Sequence, residues 1–140
     1  MPEHIVYSGH FVDEPDELAT KVGGKLTGDD AITHAHHVTH TYKPEGLDGI
    51  KLGTKRTLHI TGEVVTDRVH AVTVESPDGS VISTREHPHI TIATANGAKP
   101  VESDAAIAQA MQDETLIPIH PPIPVETTDG YFDGKVVRLE

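Results

Sequence analysis

The sequence predicts a single α+β domain built mainly on antiparallel sheet. Most segments rich in β-branched and aromatic residues are short and are separated by turn signals. Only two segments have the composition and the boundary residues of a helix. The chain has 140 residues, which suits one domain and leaves no room for two full hydrophobic cores. Residues 1–140 are therefore expected to form one domain.

The first part of the chain predicts a strand, a helix and a second strand. Residues 4–12 are rich in β-formers, and Tyr7 and His10 would face opposite sides of this strand. Residues 13–24 predict a helix, because acidic residues crowd its positive end and two glycines stop it. Residues 31–42 interleave β-branched residues with histidines, which predicts the next strand.

The middle of the chain predicts a hairpin and a further strand. Residues 55–67 and 68–76 are two β-rich segments that meet at a short turn. The sequence SPDGS at 76–80 has the residue types of a standard turn. Residues 87–95 then predict another strand that ends in a loop of small residues.

The last part of the chain predicts a second helix and an extended segment. Residues 103–113 are rich in alanine, and Ser103 is the expected N-cap. Residues 115–128 contain four prolines, so we expect an extended segment that crosses the surface. Residues 134–140 predict a closing strand.

The composition excludes several kinds of protein. The absence of cysteine excludes disulfides, thiolate zinc sites and a cysteine nucleophile. Twenty-two acidic residues against eleven basic ones give a formal charge of −11, which disfavours long nucleic acids as partners. There is no signal-peptide pattern, and the apolar runs are far shorter than the ~20 residues of a membrane span. We expect a soluble, cytoplasmic monomer with no membrane partner.

Two copies of a His-x-Thr motif, at residues 37–39 and 89–91, indicate a catalytic pair. In a strand, residues i and i+2 share a face and lie about 6.5–7 Å apart, so each copy presents an imidazole beside a hydroxyl. Two such strands together would enclose one space with two imidazoles and two hydroxyls. That arrangement suits attack at phosphorus, because a neutral histidine can accept a proton while a protonated one donates to the leaving oxygen. The threonines would hold the phosphoryl oxygens, and no metal is required.

The same motif also occurs a third time, at residues 59–61. This copy lies in a segment that runs on into a hairpin, whereas the other two lead into loops where a ligand could sit. We therefore expect a structural role for His59. His34 and His36 alternate on one strand face and raise a metal-binding alternative, but no carboxylate lies nearby in a usual ligand pattern. We expect no metal and no cofactor.

Three stretches of the chain resemble the two-histidine (2H) phosphoesterase superfamily. The resemblance is to the branch with the 2′,3′-cyclic nucleotide 3′-phosphodiesterase of myelin and the cyclic phosphodiesterase domains of plant and fungal tRNA ligases. It covers roughly residues 4–112. One departure is His40, which stands where the family often has an apolar residue. The stretches are VYSGHFVDEPDEL, HHVTHTYKPEG and HPHITIATANGAKPVESDAAI.

The resemblance implies a fold, a site and an activity. The fold would be two lobes of antiparallel sheet with two main helices and an active-site cleft between the lobes. His37 and His89 would be the acid–base pair, and Thr39 and Thr91 would hold the phosphate. The expected activity is metal-independent hydrolysis of a 2′,3′-cyclic phosphate on a nucleotide or RNA end, which leaves the 2′-phosphate.

Two tyrosines are candidates for contact with the substrate. Tyr42 follows the first motif and could stack on a base, and Tyr7 is a second candidate. The negative net charge favours a small nucleotide or a short RNA end over a long nucleic acid. Two alternatives stay open: a phosphodiesterase for 3′,5′-linked cyclic or oligonucleotide signals, and a non-catalytic protein that binds a nucleotide or a metal.

Overall fold

The structure, a computed structural model, describes residues 5–26, 30–84 and 86–140. Residue 4 of the predicted first strand lies outside these ranges. The described part is 42% strand and 14% helix, so the protein is mostly β. The elements are β1 Tyr7–Val12, α1 Pro15–Val22, β2 Ile32–Thr33, β3 His37–Tyr42, β4 Lys55–Val65, β5 Val69–Glu75, β6 His89–Thr94, α2 Glu102–Gln112, β7 Ile117–Phe132 and β8 Val137–Arg138.

Six strands form a closed antiparallel barrel, so the predicted two-lobed α+β fold is wrong. The strands follow the order β1-β3-β6-β5-β4-β7, and β7 pairs back onto β1. β2 pairs with β6, and β8 pairs with the end of β7. Because the sheet closes on itself, the residues that the structure describes form one barrel instead of two lobes with a cleft between them.

Strand β7 is the element that closes the barrel. The proline-rich segment predicted as a surface crossing is instead part of this 16-residue strand. It pairs with β4 along Lys55–Glu63 and with β1 along Tyr7–Val12. Two of its prolines, at 121 and 122, fall where the register with β4 breaks, so the sheet tolerates their missing N–H groups.

Alternation along the strands divides the barrel into an apolar interior and a more polar outer wall. The interior residues are fully or almost fully buried, and each such aliphatic side chain contributes about 1.5–3 kcal/mol by leaving water. The main interior side chains are Val38, Leu58, Ile60, Val72, Val74, Ile90, Ile92 and Val125.

The two helices occupy different positions on the barrel. Helix α1 adds Leu18 to the interior core. Helix α2 lies against the outer wall, where Ile107 and Ala110 pack with Val64 and Ala71. Neither of these helices, in the part of the chain that the structure describes, is long and apolar enough to cross a bilayer.

Candidate active site

The two His-x-Thr motifs at residues 37–39 and 89–91 lie side by side in the barrel wall, on β3 and β6. Their central residues, Val38 and Ile90, pair in antiparallel register and are completely buried. When this register is extended by one residue each way, each histidine lies across from the threonine of the other motif. Because neighbours of a buried strand residue point to the opposite face, all four predicted side chains face outward.

These four side chains line one pocket of about 530 Å³ on the outer wall. We call it the H-x-T pocket. Its volume lies within the range of about 300–1,000 Å³ typical of small-molecule sites. The structure thus brings His37, Thr39, His89 and Thr91 together as predicted, but on a barrel wall. The other lining residues are Tyr7, His34, His36, Tyr42, Pro100, Val101 and Asp104.

His37 is held in a partly buried position by aromatic packing. Its ring stacks on Tyr7 with centroids 4.5 Å apart and planes inclined by 24°. Burial lowers the pKa of His37 from 6.5 to about 4, and the charges of His36, His89 and His34 act in the same direction. His37 is therefore neutral at pH 7 and able to accept a proton.

His89 has different neighbours from those of His37. Its Nδ1 lies 2.9 Å from the carbonyl oxygen of His87, which can only accept, so Nδ1 carries the proton. Asp104 Oδ1 lies 3.8 Å from the same nitrogen. With Nδ1 committed to donation, Nε2 is the nitrogen that can exchange a proton with a ligand.

The hydroxyl of Thr91 is tied to helix α2. Thr91 Oγ1 lies 2.8 Å from Ser103 Oγ, and Ser103 is completely buried. The predicted N-cap role of Ser103 is wrong, since the N-cap is Val101 and Ser103 lies inside the helix. Ser103 and Asp104 were not predicted as site residues, because only the packing of α2 against the barrel brings this helix to β6.

Both candidate tyrosines line the pocket. Burial raises the pKa of Tyr7 to about 12, so its phenol stays protonated. Tyr7 Oη makes a long contact of 3.5 Å with His37 Nδ1. Tyr42 is 57% exposed, so one side of its ring is open to a planar group, and Lys43 Nζ lies 5.6 Å from its centroid.

The third motif, at residues 59–61, does not take part in the pocket. It lies on β4, and β5 separates β4 from β6. Thr61 Oγ1 instead forms a 3.1 Å hydrogen bond with Thr73 Oγ1 on β5. His59 is not among the described residues that line the pocket, which fits the structural role expected for it.

The histidine tract beside the first motif does not form a metal cage in the described residues. His34 Nε2 bonds Thr94 Oγ1 at 3.0 Å, and the rings of His34 and His36 are 6.4 Å apart. Burial, followed by the charge of His36, lowers the pKa of His34. Within residues 5–26, 30–84 and 86–140, no three His, Cys, Asp or Glu side chains are arranged to hold a metal ion.

A second group of histidines lies inside the barrel and has a structural role. We call His10, His40, Arg56 and Asp129 the interior cluster. His10 is buried and Tyr7 lines the outer pocket, so the predicted opposition of these two side chains is confirmed. His10 Nδ1 lies 2.8 Å from Asp129 Oδ1, and Nε2 lies 3.0 Å from the carbonyl oxygen of Ile82.

Charged and polar partners surround the carboxylate of the interior cluster. Arg56 Nε donates to both oxygens of Asp129, at 2.9 and 3.0 Å, and Lys51 N donates at 3.1 Å. Burial raises the pKa of Asp129, but the hydrogen bonds from Arg56, Lys51 and His10 outweigh burial and hold it below its ordinary value. His40 lies beside His10, and burial, then the charge of His10, lowers the pKa of His40.

Comparison of the chain with protein-family models gives no match, and no curated protein matches it significantly. The chemistry of the H-x-T pocket is therefore the basis for inferring a function. The pocket combines a neutral histidine, a histidine with a nearby carboxylate and two threonine hydroxyls. This set of groups can move protons in two directions and can hold an anion.

Proposed function

We propose that this protein is a metal-independent phosphodiesterase that opens a 2′,3′-cyclic phosphate on a nucleotide or a short RNA end. The observation that carries the proposal is the pairing of two His-x-Thr motifs in one pocket, with their histidines in different electrostatic surroundings. The resemblance of the motifs to those of 2H phosphoesterases supports the same activity. The proposal does not depend on the two-lobed fold of that family, which this chain lacks.

His37 acts as the general base in this reaction. Because its pKa is about 4, it is unprotonated at neutral pH and accepts a proton from the attacking water. In the tautomer in which Nδ1 carries the hydrogen and donates to Tyr7 Oη, Nε2 is the free nitrogen that takes the proton. Stacking on Tyr7 keeps the plane of the imidazole fixed while the proton moves.

His89 acts as the general acid. The water oxygen bonds to phosphorus, the bond from phosphorus to O3′ breaks, and His89 Nε2 gives its proton to O3′. The products are a 2′-phosphate and a 3′-hydroxyl. Assistance by each group is expected to accelerate the reaction by about 10²–10⁴-fold.

Thr39 and Thr91 hold the phosphate during the reaction. In the antiparallel register each threonine lies across from the histidine of the other motif, and its hydroxyl donates to the phosphoryl oxygens as negative charge builds up. Ser103 orients the hydroxyl of Thr91 through the 2.8 Å contact between their oxygens. No step in this scheme uses a metal ion.

Tyr42 provides a surface for the base of the substrate. Its ring is open on one side and lies at the edge of the same pocket. Stacking of a base on an aromatic ring contributes about 1–3 kcal/mol and tolerates different bases. The formal charge of −11 favours a nucleotide or a short RNA end over long RNA.

The test is incubation with 2′,3′-cyclic AMP in EDTA, with the products separated against 2′-AMP and 3′-AMP standards. We expect conversion to 2′-AMP, reduced about 10²–10⁴-fold in His37→Ala and in His89→Ala. His59→Ala is the matched control, because it removes the histidine of the third motif outside the pocket, and it should keep full activity. Formation of 3′-AMP that depends on the same two histidines would mean that the bond from phosphorus to O2′ breaks instead of the bond to O3′.

Two results would reject the proposed reaction. Absence of turnover would do so, and binding of 2′-AMP without turnover would then favour a non-catalytic nucleotide-binding protein. Activity that EDTA abolishes would replace the metal-free mechanism with a metal-dependent one. Hydrolysis of a 3′,5′-linked cyclic nucleotide in place of the 2′,3′-linked one would keep the histidines and change the substrate.

A further inference from the structure

We propose that Asp104 is a positioning residue that keeps His89 protonated and oriented for its role as the general acid. This inference rests on the proposed function. Asp104 lies in the first turn of α2 and lines the H-x-T pocket. It acts through His89 and takes no proton itself.

The position of Asp104 is set by how α2 is anchored to the barrel. Ile107 and Ala110 of this helix are buried against the outer wall. At the start of the helix, Glu102 binds Arg68 through two hydrogen bonds of 2.9 and 3.1 Å. These contacts fix the helix on both sides of Asp104, so its carboxylate is held near β6.

Asp104 approaches His89 from the side of its Nδ1 atom. Asp104 Oδ1 lies 3.8 Å from His89 Nδ1, the nitrogen that also donates to the carbonyl oxygen of His87. A carboxylate and a carbonyl on the Nδ1 side stabilise a positive imidazole and leave Nε2 toward the substrate. The same arrangement fixes the ring orientation.

The groups around His89 explain why Asp104 has this effect. From β3, His37 faces it but is neutral at pH 7, and Thr39 is uncharged. From β5, the residue paired with it is Thr73, which is also uncharged. On the approach to β6, His87 contributes its carbonyl oxygen as well as its own imidazole. Of these facing groups, Asp104 supplies the negative charge.

The contrast with His37 explains why one histidine is the base and the other the acid. The pKa of His37 is lowered by burial and by the charges of three other histidines, and both effects favour its neutral form. His89 has a carboxylate 3.8 Å away. The side chain of Asp104 is 40% exposed, so solvent weakens its effect on His89. Removal of its charge should therefore shift the alkaline limb of the pH–rate profile by only about 0.5–1 pH unit.

The main test is the pH–rate profile of Asp104→Asn. The general acid must be protonated, so its pKa governs the alkaline limb of kcat. We expect the alkaline limb to move to lower pH by about 0.5–1 pH unit. The acidic limb is governed by His37 and should not change. KM for the anionic substrate should fall, because a negative charge leaves the pocket. A loss of kcat that is equal at every pH would overturn the inference.

Asp113→Asn is the matched control. It removes one negative charge from the same helix, but Asp113 is the exposed C-cap at the far end of α2, nine residues after Asp104, and takes no part in anchoring the helix near β6. We expect no shift of the alkaline limb. An equal shift in Asp113→Asn would mean that the charge of the helix, not the position of Asp104, sets the profile, and would overturn the inference.

A second measurement separates this inference from the proposed reaction. Imidazole NMR titration without substrate reports the protonation of His89 even if the protein turns over no cyclic phosphate. The His89 midpoint should fall by about 0.5–1 pH unit in Asp104→Asn and return in Asp104→Glu. An unchanged midpoint would refute the role of Asp104, whereas an inactive wild type with a shifted midpoint would refute only the phosphodiesterase activity.

Discussion

The H-x-T pocket and the interior cluster both gather histidines, but they surround them with different partners. In the interior cluster, both ring nitrogens of His10 lie within 3.0 Å of acceptor oxygens, and Asp129 also binds Arg56. In the pocket, His37 has a stacked ring and one long contact to Tyr7, and its pKa is about 4. The comparison teaches that a histidine with close partners on both ring nitrogens is structural, whereas a histidine that keeps one nitrogen open to a pocket can exchange a proton there.

The largest expected effect is on activity and comes from the pocket. His37→Gln removes the proton acceptor and should lower kcat/KM for 2′,3′-cyclic AMP by about 10²–10⁴-fold. The free energy of unfolding at pH 7 should fall by only about 1 kcal/mol, because the ring loses its stacking on Tyr7. Steady-state kinetics and urea denaturation measure the two effects. A His37→Gln variant that is strongly destabilised but keeps its activity would show that His37 is structural and not catalytic.

The next effect is on stability and comes from the interior cluster. Asp129→Asn leaves Arg56 and His10 without their carboxylate, so the free energy of unfolding should fall by about 3–5 kcal/mol. Urea denaturation at pH 7 measures this loss. Glu126→Gln is the control: it lies on the same strand but is exposed, where its hydrogen bond to Thr57 contributes about 1 kcal/mol or less. Similar losses in both variants would show that the cluster has no special role.

The pH dependence of stability sharpens the comparison further. In the unfolded chain His37 has a pKa near 6.5, but in the folded protein its pKa is about 4. The unfolded state therefore binds more protons between these two pH values. The contribution of His37 to the free energy of unfolding is complete above pH 6.5 and is lost as the pH falls toward 4. The contribution of this one group is at most about 1.4 kcal/mol per pH unit.

The measurement is urea denaturation of the wild type and His37→Gln at several pH values from 7 to 4.5. The wild type should lose more stability than the variant as the pH falls. The remaining loss in the variant should come from His34, His40 and His70, whose pKa values burial also lowers. Parallel curves for the two proteins would show that His37 is not held neutral in the folded state.

The smallest effect concerns the hydroxyl pair between α2 and β6. Ser103→Ala removes a buried partner of Thr91 and should lower kcat/KM by about fivefold, which corresponds to about 1 kcal/mol for one hydrogen bond. The pH profile should not move. Ser103→Ala combined with Thr91→Val should be no worse than Thr91→Val alone, since Ser103 acts through Thr91. Additive losses would mean that Ser103 contacts the substrate by another route.

The sequence by itself determined most of the elements and the two motifs at the centre of the site. Residues i and i+2 of a strand share a face, so each His-x-Thr motif presents its two side chains together whatever the fold. Helix α1, the hairpin of β4 and β5, and strand β6 also follow from local patterns, since turn residues and β-branched runs act over a few positions. These are short-range properties of the chain.

Only the tertiary structure decided how these elements close and which helix residues reach the pocket. Strand β7 pairs with β4 and β1, which are distant in sequence, and no local pattern in a proline-rich segment shows those partners. Its pairing turns an expected two-lobed domain into a barrel. Ser103 reaches Thr91 and Asp104 reaches His89. They do so because α2 is held on the outer wall by its buried residues Ile107 and Ala110. Burial of apolar surface between distant segments is non-directional, so it brings polar residues together in ways that spacing along the chain does not encode.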